Sequence, residues 1–313
     1  MSIAIFFHPD CLQHDTGLGH PESAARLSVI LDGLKNCGFS QELDFIPATL
    51  GTRTQVLLAH TPEHYDHIAQ SIPAEGDYTY LDPDTIMSHG SFQAALRAVG
   101  ASCEAIDKVV TGKYDSAFCA IRPPGHHATS NRAMGFCLFN NVAIAARHAI
   151  QMHKLERVAI VDLDVHHGIG TEEIFKRDAR VLYISTHEWP HYPGTGSAAE
   201  KGVGNIVNIP LSAATDGTEY RTVFSENVMS TLRNFQPQLI LVSAGFDAHR
   251  DDPLASIKLV EDDYRWIGTQ LRSVANEYCG GKTISFLEGG YNLRALAASA
   301  VSYVSAFAET EQT

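Results

Sequence analysis

The chain has 313 residues, 44% of them hydrophobic, which is enough for a sizeable core in one large α/β domain or two ordinary ones. Its 23 basic and 36 acidic side chains give a formal charge of −13, which argues against nucleic acid or an anionic membrane as a partner held by bulk charge. Six cysteines without a CxxC pair argue against a disulfide framework, and no run reaches the ~18 apolar residues of a membrane span.

Residues 2–7 are too short, and lack the basic start, for a signal peptide. Residues 3–7 read as a strand, and a soluble cytoplasmic protein with free thiols is expected. Residues 22–37 carry Leu27, Ile30, Leu31 and Leu34 at helical spacing, with Gly38 as a C-terminal stop. Residues 92–110 predict a helix, 116–121 a strand, 140–152 a helix and 158–161 a strand. Strands are expected over 181–185 and 206–209, a helix over 220–234 and a strand over 239–243. A helix over 264–278, a strand over 283–287 and a helix over 293–307 complete the pattern. The alternation predicts an α/β fold: a central, mostly parallel sheet with helices on both faces. With no repeat or linker, 1–313 reads as a single domain with long loops. Ligands of open α/β sheets sit at the carboxyl ends of strands. Four polar clusters fall there, at 122–127, 162–168, 247–252 and 288–292.

Asp162-Leu163-Asp164-Val165-His166-His167-Gly168 closes the apolar run Val158-Ala159-Ile160-Val161. Carboxylates and imidazoles are costly at such a place unless a cation or hydrogen bonds satisfy them. Asp164 and His166, two apart on an extended backbone, point the same way. They make half of a catalytic zinc site, and Asp247, after the run 239–242, is the chosen third ligand. Two carboxylates and one imidazole leave an open coordination position; the set suits Zn²⁺ without excluding Fe²⁺, Mn²⁺ or Co²⁺. His249 offers a fourth ligand but more readily lines a loop. Asp162 suits a hydrogen bond that fixes a histidine tautomer. In Arg122-Pro123-Pro124-Gly125-His126-His127, the prolines and glycine constrain the backbone entering two imidazoles, which are either ligands or a base and its helper. In Glu288-Gly289-Gly290-Tyr291-Asn292, paired glycines allow close backbone approach. Tyr291 is either an oxyanion donor or an ordinary packed tyrosine.

The stretches RPPGHHA, GFCLFNNVA, VDLDVHHGIGT, YPGTG, SAGFDAHRDDPL and LEGGYN, in this order, resemble the histone deacetylase family and its acetylpolyamine amidohydrolase relatives, with their arginase-like fold. The likeness runs from His20-Pro21-Glu22 to Tyr291-Asn292, and its wording is closest to the class II and bacterial branch. It implies that Asp164, His166 and Asp247 hold one catalytic Zn²⁺. It implies further that His127 is the general base and acid, that Asp162 partners His126, and that Tyr291 polarises the amide carbonyl. Phe136 and Tyr192 match the aromatic walls of an acyl-lysine tunnel. Gly135 and Leu254 join them as substrate-binding positions, and Arg26 matches an arginine near an internal acetate-exit channel. Asp162, Asp164, His166, Ser185 and Thr186 match a structural K⁺ site.

The implied reaction is metal-assisted hydrolysis of an acetyl-lysine amide in peptides or proteins to acetate and a free amine. A small N-acetyl amine such as an acetylpolyamine is the alternative substrate. Leu254 stands where polyamine-selective relatives can carry an acid, which favours acetyl-lysine. Asp82 and Asp84 lie in a loop resembling the rim of the site, as substrate grips or as solvated turn residues. The oligomeric state stays open. One departure stands out: at the position of Ile169 the family usually carries Asn or Asp, which pairs with the second tandem histidine. Ile169 cannot accept a hydrogen bond. His127 is therefore expected to lack its usual orienting partner, or to use a backbone carbonyl or water.

Overall fold

The computed structural model describes residues 2–308. β1 (Ile3–Phe7) opens the chain, and α1 (Ala24–Asn36) follows with Leu27, Ile30, Leu31 and Leu34 buried along one stripe. β2 (Leu43–Pro47), α2 (Arg53–Val56) and α3 (Pro62–Gln70) come next. A small antiparallel pair, β3 (Thr79–Tyr80) and β4 (Ile86–Met87), then precedes the long α4 (Ser91–Val110). β5 (Ser116–Cys119), α5 (Asn141–His153), β6 (Val158–Asp162), α6 (Ile169–Phe175), β7 (Val181–Glu188) and β8 (Ile206–Leu211) continue the alternation. α7 (Gly217–Val223), α8 (Ser230–Phe235), β9 (Leu239–Ala244), α9 (Glu261–Val274), β10 (Thr283–Leu287) and α10 (Leu293–Ala308) complete it.

Eight strands form one sheet in the order β2-β1-β5-β10-β9-β6-β7-β8. Every pairing in it is parallel, so the expected mostly parallel sheet is parallel throughout. The strands read as unbroken apolar runs because both faces are covered. Ala159 and Val161 of β6, with Ile240 and Val242 of β9, join the core formed with α1, α9 and α10. Val158, Ile160, Leu239 and Leu241, one residue out of step, join the core beneath α4 and α5.

The sequence reading missed β2, an edge strand whose mixed polarity hides its period. It also missed α3, although Thr61 caps that helix by accepting from the His64 amide and Pro62 opens it. The helix expected over 220–234 is divided by a wider π turn at Phe224–Met229. The helix expected over 264–278 ends in a similar turn, Ala275–Cys279.

The sheet order matters most for the site. The four polar clusters follow β5, β6, β9 and β10, and β5-β10-β9-β6 are consecutive neighbours at the sheet centre. Parallel strands release their loops on one edge, so four segments distant in sequence converge there.

Candidate active site and metal centre

Asp164, His166 and Asp247 lie together beyond β6 and β9, with one ligand atom from each within 4.8 Å of the others. His166 Nδ1 is 3.0 Å from Asp164 Oδ1 and 3.2 Å from Asp247 Oδ2. All three residues are buried. Backbone amides fix the carboxylates: Val165 N–H donates to Asp247 Oδ1 at 2.9 Å, and Gly289 N–H to Asp164 Oδ2 at 2.8 Å. A Cβ at position 289 would fall 2.1 Å from Asp247 Oδ2 and 2.6 Å from Asp164 Oδ2, so glycine is required there for space alone. Burial and the Asp164 charge push Asp247 up to about 7. Burial also resists the ionisation of Asp164, but the imidazoles of His126 and His166 outweigh it and hold that carboxylate low. The two carboxylates converge on one ring nitrogen, and a divalent cation there would relieve the repulsion that pushes Asp247 up. The donor set thus fits a metal, as expected from sequence. His249 is not among these donors: its Nδ1 accepts from the Asp251 amide at 3.1 Å.

The tandem histidines sit in the loop after β5, with ring centroids 3.9 Å apart. His126 Nδ1 is 3.0 Å from Asp162 Oδ2, which also accepts from the Tyr183 hydroxyl at 2.9 Å. Burial opposes charge on His126, yet Asp162 and Asp164 outweigh it and raise its pKa well above the usual imidazole value. His127 behaves oppositely: burial, then the neighbouring His126 charge, push it well below that value. His127 Nδ1 is buried and has no hydrogen-bond partner among the described residues. Ile169, the first residue of α6, supplies none, and no side chain or backbone carbonyl among the described residues takes that place.

A cavity of about 190 Å³ opens above these groups. It is lined by Asp84, His127, Gly135, Phe136, His166, Tyr192, Leu254 and Tyr291, all singled out in the sequence, and by His191. The Tyr192 ring stands 5.2 Å from the His127 ring and nearly perpendicular to it. The Phe136 ring lies 6.0 Å from the Tyr291 ring. Gly135 has φ +56°, and a Cβ there would sit 2.4 Å from His127 Cδ2; this bend brings the wall against the imidazole. Phe136 itself is left-handed, with φ 68°, a strained conformation for an aromatic residue. Its amide is held by Thr85 Oγ1 at 3.1 Å. Burial keeps the Tyr291 phenol protonated, a hydroxyl available to donate.

The two rim aspartates divide their roles. Asp82 Oδ1 accepts from the amides of Asp84 and Thr85 and holds the turn, whereas Asp84 faces the cavity. Ser185 stands beside Asp162 in the β6–β7 register, its Oγ 2.9 Å from His187 Nδ1. Thr186 Oγ1 is 2.8 Å from the Tyr220 hydroxyl.

The sequence reading missed a supporting layer. Glu288 is fully buried: its Oε2 accepts from the amides of Gly125 and His126 at 2.7 and 3.1 Å, and its Oε1 from Ser243 Oγ at 3.1 Å. Its place at the end of an apolar strand was the available signal. Asn140 caps α5 while its Nδ2 donates to the Ala128 carbonyl at 3.0 Å, tying the helix to the tandem-histidine loop. Arg26, which the resemblance did single out, is buried too: it donates to the carbonyls of Gly290 and Glu288 at 2.6 and 2.5 Å and lies 4.9 Å from the Tyr291 ring. It braces from behind the turn that carries the tyrosine.

No helix among the described residues is long and apolar enough to cross a membrane. A histone deacetylase domain profile matches residues 20–307. Histone deacetylase 14, chloroplastic, of Arabidopsis thaliana is 37% identical over 299 residues, 90% of this chain and 71% of that protein. A probable deacetylase of Archaeoglobus fulgidus is 38% identical over 299 residues, 94% of this chain and 82% of its own length. The crystal structure of the HDA15 HD domain superposes with a TM-score of 0.92 at 37% identity, covering 98% of this chain and 89% of that one. Matching motifs, a matching fold and a profile over nearly the whole length agree: the chain belongs to the histone deacetylase family, whose members are deacetylases.

Proposed function

We propose that this chain is a Zn²⁺-dependent hydrolase that releases acetate from acetyl-lysine in peptides or proteins, acting as one catalytic domain over 1–313. The observation that carries the reading is the cavity in which His127, Tyr291 and the metal-ligand candidate His166 share the lining with the aromatic rings of Phe136 and Tyr192. Phe136 and Tyr192 suit the apolar stem of a lysine side chain, and Asp84 at the mouth suits a backbone amide or a cation of the substrate.

Asp164, His166 and Asp247 would hold the zinc, which would supply Lewis acidity to the acyl carbonyl and to the attacking water. His127, held neutral by burial and by His126, takes the water proton and passes it to the leaving amine. Tyr291 donates its hydroxyl hydrogen to the oxyanion that develops on the acyl oxygen. His126, kept charged by Asp162, adds a fixed positive charge beside the reacting groups. A structural K⁺ bound by Asp162, Asp164, His166, Ser185 and Thr186 belongs to the same reading; the parallel pairing that sets Asp162 beside Ser185 supports it. Six free cysteines support a reducing compartment such as the cytoplasm.

Acetylpolyamines remain the competing substrate class. The apolar Leu254 in the cavity wall favours a peptide, since it offers nothing to a distal ammonium. The test is amine release from a fluorogenic acetyl-lysine peptide and from acetylated putrescine and spermidine, with chelated protein and after Zn²⁺ is restored. Zinc-restored turnover of the peptide alone supports the proposal. Turnover mainly of the polyamine overturns the substrate assignment, and none on either overturns the reaction.

A further inference from the structure

Asp107, His148 and His153 gather at the opposite edge of the sheet from the cavity. Asp107 lies in the last turns of α4, and the two histidines lie in the last turns of α5. His148 Nε2 and His153 Nε2 approach the same oxygen, Asp107 Oδ1, at 2.8 and 2.7 Å. One ligand atom from each residue lies within 4.8 Å of the others. His148 is buried; the Asp107 side chain is 52% exposed, so the cluster is open to water on one side.

Two features distinguish this cluster from an ordinary surface ion pair. First, residues five apart on a helix lie about 140° apart around its axis, so they do not share a face by default. Here both rings nevertheless turn to one acceptor. Second, the nearby ammonium groups do not compete for it: Lys108 Nζ is 3.1 Å from Glu104 Oε1, and Lys154 Nζ donates to the Gln151 carbonyl at 2.7 Å. The helix ends at His153, and Lys154 turns left-handed at φ 59°, which frees the last ring to adjust.

We propose that Asp107, His148 and His153 form a second metal site, for a divalent transition ion such as Zn²⁺, Ni²⁺ or Cu²⁺, that clamps the C-terminal ends of α4 and α5. Imidazole donors select these ions over Mg²⁺ or Ca²⁺. Ligands 2.0–2.1 Å from a tetrahedral ion stand about 3.3 Å apart, so each ring needs to retreat only about 0.5 Å. The exposed side leaves room for a water to complete the shell. The site is remote from catalysis: α5 has 13 residues and is about 20 Å long, and its other end carries Asn140 beside the tandem-histidine loop.

The experiment is Zn²⁺ stoichiometry of the full chain by calorimetric titration after chelation and dialysis, repeated on His153→Ala, Asp164→Ala and the double variant. The proposal expects two equivalents for wild type, one for each single variant and none for the double. It also expects Zn²⁺ to raise the Tm of Asp164→Ala but not of the double variant, and His153→Ala to keep wild-type turnover. One equivalent in wild type that persists in His153→Ala overturns the second site and leaves the catalytic reading standing. Loss of one equivalent in His153→Ala with none lost in Asp164→Ala overturns the catalytic ligand set instead and supports the second site.

Discussion

Gly289→Ala tests the proposed metal centre with a single carbon. Gly289 does not adopt a positive φ, so alanine is acceptable to the backbone and the perturbation is steric. Ordinary contact starts at 3.4 Å and the new carbon would sit 2.1 Å from Asp247 Oδ2, so that carboxylate must give about 1.3 Å. It has little freedom to do so. Asp247 is buried, its other oxygen accepts from Val165 N–H at 2.9 Å, and the new carbon would also sit 2.6 Å from Asp164 Oδ2. Displacing a ligand by about 1 Å costs on the order of 10² in rate. Loss of ligand positioning costs on the order of 10–100-fold in metal affinity. The expected variant is folded, with a far-ultraviolet dichroism spectrum like wild type. It loses at least tenfold in Zn²⁺ affinity by competition with a chelator, and about 10² in kcat/KM. Wild-type zinc affinity and turnover within threefold would refute the assignment of Asp164 and Asp247 as ligands.

Three further outcomes follow from the same geometry. Tyr291→Phe should lower turnover of an acetyl-lysine peptide by on the order of 10²–10³ with little change in KM, as steady-state kinetics would show; an unchanged kcat removes the oxyanion role. Asp84, pushed up to about 6 by burial and then by the Asp82 carboxylate, should lose its charge as pH falls through 6, raising KM about tenfold for a peptide with an arginine beside the acyl-lysine. Because folding raises this pKa, the associated stability is fully present below the usual carboxylate value and is lost as pH rises through 6. Asp84→Asn should therefore flatten the acidic limb of the KM profile without lowering Tm at pH 7, and a Tm drop of several degrees would contradict that sign. Leu254→Glu should improve acetylspermidine over peptide by at least about tenfold in relative kcat/KM, since it places an anion in the cavity wall; an unchanged ratio would free Leu254 of any role in selectivity.

Much of the candidate site was legible because chemistry and position coincide in it. Asp164 and His166 are polar groups at the end of an apolar strand, where only a cation or a hydrogen-bond network makes them affordable. The supporting layer was harder to see. Glu288 carries the same signal, but its role depends on two amides 162 and 163 residues away. Asp82 and Asp84 look alike as a pair of acids two apart, and only the bend of their loop decides that one holds the turn while the other faces the cavity. β2 was lost because an edge strand need not be apolar on both faces.

The sequence by itself determined which donors exist and that each lies just beyond a buried strand, because side-chain chemistry and hydrophobic period are local properties. It also determined that Ile169 offers His127 no acceptor. The tertiary structure decided that β5, β10, β9 and β6 are neighbours, which is what turns four separate loops into one site. It also decided that no other group among the described residues reaches His127 Nδ1. Strand order and the partners of a buried atom are set by packing between segments far apart in the chain, and no local pattern of residues encodes them.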